Sequence, residues 1–119
     1  MAAYCAFIFA LSSMSDVPQL PTGLSDKTGH MVLYSGLGFL VARALGGGRS
    51  RRVTPWLALG TLLFVAIFGL SDEAHQLFVP DRDFDLADVG ADLVGAACGT
   101  AALWLWGIIG PGSERSRAA

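Results

Sequence analysis

Residues 71–99, SDEAHQLFVPDRDFDLADVGADLVGAACG, set seven carboxylates, a histidine, a glutamine and an arginine between two apolar runs. Carboxylates in that number can serve as general acids and bases, as ligands for a hard cation, or as acceptors that tie helices together. Charges against hydrocarbon-like sequence are costly unless they are paired or line a polar cavity, so a functional site is the default reading. Spacing sorts them. Asp85, Asp88 and Asp92 stand at i, i+3 and i+7, one face of a helix, and Gly95 and Gly99 continue that stripe as packing residues. Lys27, His30 and Tyr34 repeat the same spacing earlier in the chain. Glu73 falls at a helix C-terminal end, where the macrodipole disfavours an anion, so it needs a donor; Lys27, His30 and Arg82 are the candidates. His75, three residues after Asp72, is expected to pair with it on an outer surface, while Asp81 and Asp83 read as solvated loop charges.

Four helices must position these groups. The apolar run from Ala2 to Met14 reads as a first span, about 20 Å long against a hydrocarbon core of about 30 Å. Ser25–Asp26 caps a second helix, and the three glycines from Gly46 to Gly48 end it. Thr54–Pro55 is an N-cap followed by proline at N1 and starts the third, which runs through SDEAHQLFV until Pro80 stops it. Asp85 is the N-cap expected for the fourth. The expected fold is therefore all-α: a polytopic membrane four-helix bundle, one domain over residues 1–119, with spans near 2–14, 28–45, 55–78 and 86–109.

Charge layout orients it. Arg43, Arg49, Arg51 and Arg52 gather at one loop and Arg115 and Arg117 at the C-terminus; these six arginines less Glu114 leave +5. The other nine carboxylates, against Lys27 and Arg82, leave −7 on the remaining segments. Alternating loops of opposite sign follow the positive-inside rule and make the bundle N-in and C-in, with the acidic stretch facing outward. Cys5 and Cys98 lie in apolar runs and read as inert thiols. The basic cluster is explained by topology, so nucleic acid is set aside as a partner.

Counting helical rise puts Glu73, Tyr34 and Asp92 each about 10 Å below the outer end of its helix. The expected site is an outward-opening polar pocket. Glu73, Gln76, Tyr34, His30 and Asp92 form its floor; Asp26, Lys27, Arg82, Asp85 and Asp88 ring its mouth. Glu73, Asp85, Asp88 and Asp92 form an oxygen-rich set that would suit a divalent cation such as magnesium, calcium or manganese. No spacing matches a zinc or nucleophile motif, so no catalytic residue is assigned.

The order Asp26–Lys27, His30, Tyr34, then Ser71–Asp72–Glu73, Gln76, Pro80, Arg82, Asp85 and Asp88, closing on Gly95 and Gly99, resembles the VanZ-like family over nearly the whole chain. The resemblance implies a small bacterial membrane module, whose founding member is linked to low-level resistance to the glycopeptide teicoplanin. At position 92 the family more often has asparagine, so Asp92 adds a charge to the floor. The first helix is also shorter than is usual there.

Three readings of the cluster follow. In the first, a non-enzymatic envelope protein binds an outer-leaflet ligand or partner, such as a lipid-linked precursor whose phosphate meets Lys27, His30 and Arg82. In the second, a membrane enzyme, metal-dependent or not, modifies an envelope lipid. In the third, the polar groups only hold the helices in register. Ion movement through the bundle is disfavoured, because the cytoplasmic half of each span lacks polar residues. The bilayer is the one partner common to all three.

Overall fold

The computed structural model describes residues 1–14, 26–47 and 53–109. The loop before Asp26, most of the basic turn with Arg49, Arg51 and Arg52, and the C-terminal tail with Arg115 and Arg117 lie outside the described residues. Four helices and no strand occur among the described residues: α1 (Ala2–Ser12), α2 (Asp26–Leu45), α3 (Pro55–Gln76) and α4 (Leu86–Ile109).

Local chemistry explains their ends. Thr54 accepts the Leu57 amide at 3.2 Å through its hydroxyl, and Pro55 at N1 gives up an amide that would have had no helical partner. Asp85 caps α4 by accepting the Ala87 amide at 2.9 Å. Gly47 terminates α2 with φ +76°, a left-handed conformation that costs glycine nothing. The third helix stops at Gln76, short of the expected run to residue 78. Residues 77–82 form a tight turn in which Asp81 takes φ 61° and the Arg82 amide returns to the Val79 carbonyl at 3.3 Å.

Cross-helix contacts give the direction of each helix. Ser12 meets Gln76, and Ser13 meets His75, so α1 and α3 end together. Lys27 meets Asp85, and His30 meets Asp92, so α2 and α4 begin together at that same end. The chain therefore runs up, down, up, down.

Among the described residues two helices are long and apolar enough to cross a membrane, Pro55–Gln76 and Leu86–Gly107. At 22 residues each is about 33 Å long, matching a hydrocarbon core of about 30 Å. The pattern of burial agrees with a lipid setting. Trp56, Leu59, Leu63, Ile67 and Leu70 form an exposed apolar stripe along α3, whereas Thr61, Asp72, Glu73 and Gln76 of the same helix are buried. Water would favour the reverse. Tyr34, Leu37, Val41, Val65 and Ala96 fill the centre, joined by Ile8 of α1.

Glycines bring α2 and α4 into backbone contact. A methyl group at Gly95 would strike the Met31 carbonyl, and one at Gly99 would strike the Ser35 carbonyl and the Phe39 amide. From α2, Gly38 faces the Ala96 backbone in the same way. Small residues that let backbones touch are the usual means of packing helices where no water drives them together.

Candidate functional site

Above that glycine contact the two helices carry charge instead. Lys27 and His30 of α2 face Asp85, Asp88 and Asp92, while α3 brings Asp72 and Glu73 from the side. At the rim, Lys27 Nζ lies 3.3 Å from Asp85 Oδ2 and 3.6 Å from Asp88 Oδ1. Accepting the Ala87 amide, and then the Lys27 ammonium, holds the Asp85 carboxyl below its ordinary range. The hydrogen bond to Asp85, reinforced by the charges of Asp85 and Asp88, raises Lys27 above its ordinary value.

One turn deeper, His30 Nδ1 and Asp92 Oδ1 are 2.8 Å apart. An ionised Asp92 carboxylate only accepts, so Nδ1 donates in that bond; in the neutral imidazole Nε2 then keeps its lone pair. Nε2 lies 4.0 Å from Asp88 Oδ2. Glu73 enters from α3 with no exposure, and its Oε2 accepts the Asp85 amide at 3.1 Å. Donor atoms of His30, Glu73 and Asp88 all fall within 4.8 Å of one another. Below them Tyr34 donates to Asp72 Oδ2 at 3.3 Å, and its ring lies nearly parallel to that of His30.

Asp92 is also fully buried. Its second oxygen points at Gly69, where a methyl group would come within 2.8 Å of it. Among the described residues four buried carboxylate oxygens make no hydrogen bond within 3.5 Å: Asp72 Oδ1, on the side of Ser12, Glu73 Oε1, Asp88 Oδ1, which faces Lys27 Nζ at 3.6 Å, and Asp92 Oδ2. Each belongs to this one cluster. A buried acceptor left unmade costs about 1–3 kcal/mol, and more when it is charged.

Several expectations are corrected by this geometry. Glu73 finds its donor in a backbone amide, because the turn after α3 folds the start of α4 back over it; none of Lys27, His30 and Arg82 is that donor. Arg82 points instead to the Met14 carbonyl, with Nε at 3.2 Å and Nη2 at 3.1 Å, and so ties the turn to α1. Gln76, buried on the same face of α3 as Glu73, donates to Ser12 Oγ at 3.0 Å. Asp88, expected at the mouth, lies beside His30 and Glu73, whereas Asp85 stays at the rim. Asp26 opens α2, and its side chain lies outside the described residues. His75 does not pair with Asp72; it meets Ser13 Oγ at 2.9 Å and stacks on Phe9 with ring centroids 4.2 Å apart.

Asp72 was missed as a site residue, and so was Ser12 as the partner of Gln76. A signal for Asp72 existed. Val65, Gly69, Asp72, Glu73 and Gln76 are the buried residues of the outer half of α3, and they follow the i, i+4, i+7, i+8, i+11 pattern of one helix face.

The family model described as VanZ/LLP1 matches residues 3–107. No curated protein and no solved structure matches the chain.

Proposed function

The chain belongs to the VanZ/LLP1 family, and from that premise we propose that it is a bacterial inner-membrane protein whose polar pocket binds an outer-leaflet ligand or partner. All four helices cross the bilayer, with α1 and α2 embedded beside the two longer apolar helices. The positive-inside rule puts both termini and the basic turn in the cytoplasm, so the pocket opens outward. Binding there contributes to low-level resistance to glycopeptides of the teicoplanin type.

The observation that carries this reading is the group of buried carboxylates packed about His30 and Tyr34, four of whose oxygens accept no hydrogen bond. Unmade hydrogen bonds of that kind are retained where a ligand completes them. Lys27, half-exposed at the rim beside Asp85, is placed to meet an anionic headgroup first.

The test is a double variant, Glu73→Gln with Asp88→Asn, compared at equal abundance in the membrane. Loss of the protein's contribution to teicoplanin resistance is expected. Unchanged susceptibility would reduce the cluster to a helix fastener. Orientation is checked separately by thiol labelling in the background lacking Cys5 and Cys98: a cysteine at position 83 should react from outside, and one at position 50 only after the membrane is opened.

A further inference from the structure

We infer that His30, Glu73 and Asp88 form a binding site for a divalent transition-metal ion, with Asp92 as the residue that positions the histidine. The inference deepens the pocket reading above and rests on it.

Three observations on different elements carry it. The first is donor placement: one imidazole nitrogen and two carboxylates, from α2, α3 and α4, lie within 4.8 Å of one another. Donors on a single ion at about 2.1 Å stand roughly 3–4 Å apart, so small side-chain rotations close the set. The second is the aim of the histidine. Asp92 holds Nδ1 at 2.8 Å, which turns Nε2 toward Asp88 Oδ2 at 4.0 Å. A carboxylate behind a histidine is the usual arrangement around a ligating imidazole, because it fixes the tautomer and makes the ligand more basic. The third is the state of the acceptors. Glu73 is wholly buried with Oε1 unpartnered, and Asp88 Oδ1 has only Lys27 Nζ at 3.6 Å, beyond hydrogen-bond length.

Charge points the same way. Asp72, Glu73, Asp88 and Asp92 crowd one buried region, and repulsion among them is relieved by a doubly charged ion far better than by Lys27, which sits at the rim. Such an ion would also resolve how an acidic pocket could receive an anionic headgroup. One nitrogen with two oxygens suits manganese or zinc better than calcium, which takes oxygen ligands alone. The donor set therefore differs from the four carboxylates expected from the sequence. His30 joins it, Asp85 is occupied with the helix cap and Lys27, and Asp92 stands behind the histidine.

Manganese alone is the probe, added to the purified full chain in lipid nanodiscs. One ion per chain is expected, and its pulsed electron-spin signal should carry modulation from a coordinated imidazole nitrogen. His30→Gln, Glu73→Gln and Asp88→Asn should each weaken binding by more than about 100-fold, and Asp92→Asn by about tenfold, in line with losses at orienting partners. Helical content and monodispersity of each variant are checked alongside. The wild-type nitrogen signal needs no variant to fold, so its absence overturns the proposal; so does binding no tighter than to a chain carrying His30→Gln, Glu73→Gln and Asp88→Asn together. If manganese fails to bind while the Glu73→Gln, Asp88→Asn pair still abolishes resistance, the metal is wrong and the pocket stands. If manganese binds and resistance is indifferent to that pair, the site stands and its link to resistance falls.

Discussion

The α2–α4 seam is two different contacts in one pair of helices. In its inner half Gly38, Gly95 and Gly99 let backbones touch, and there is no room for a single added carbon. In its outer half Lys27 and His30 meet Asp85, Asp88 and Asp92 through long, ionisable side chains, with acceptor atoms left unmade. The inner contact resists change because every neighbour is backbone and cannot rotate away. The outer one trades stability for chemistry, since buried polar groups that are only partly satisfied cost free energy. One half holds the helices together so that the other half need not.

The sharpest way to break that contrast is at Gly99. Gly99→Ala adds a carbon that the Ser35 and Phe39 backbones cannot avoid, and we expect a loss of about 3 kcal/mol, at the upper end of overpacking costs, read as reduced melting temperature in detergent. The outer half should behave oppositely. Glu73→Gln keeps an oxygen to accept the Asp85 amide and removes a buried charge, so folding stability should stay within about 1 kcal/mol or rise. Should both substitutions destabilise alike, the division of labour is wrong.

Gly90 sharpens the comparison from within α4. It is exposed and has open space where a methyl group would go. There Gly90→Ala should stabilise by about 0.5–1 kcal/mol through helix propensity alone, the opposite sign to the same change at Gly99.

The smallest effect lies at the rim and appears as a pH dependence. Asp85 has a lowered carboxyl pKa, so its contribution is complete above the ordinary carboxylate range and is lost as pH falls through the lowered value. Lys27 is raised, so its contribution is complete below its ordinary value and is lost as pH rises through the raised one. The contribution of this pair to the melting temperature should therefore fall away at both extremes of pH. Asp85→Asn, which still caps the helix, should remove most of the acid limb.

Much of the fold was legible because helix boundaries are local chemistry. Thr54, Pro55, Asp85 and Gly47 act within one turn of where they stand, and the four helices follow. The glycine stripe and the stripe of Asp88 and Asp92 were legible for the same reason, since helical periodicity alone aligns them. Failures came where a side chain could choose between local and distant partners. His75 has Asp72 three residues away, yet the Phe9 ring and the Ser13 hydroxyl, more than sixty positions distant, hold it instead. Asp72 meanwhile turns inward to Tyr34.

Sequence by itself thus determined an all-α chain of this family, with acidic, basic and glycine positions sorted onto helix faces. Spacing along a helix is a property of the backbone and needs no neighbour. Only the tertiary structure decided which faces meet: that Glu73 is met by an amide, that Arg82 and Gln76 serve α1, and that His30 is held from behind by Asp92 while its other nitrogen faces Asp88. Those choices depend on how the turn after Gln76 folds and how closely the glycines admit α4 to α2, and no periodicity encodes either.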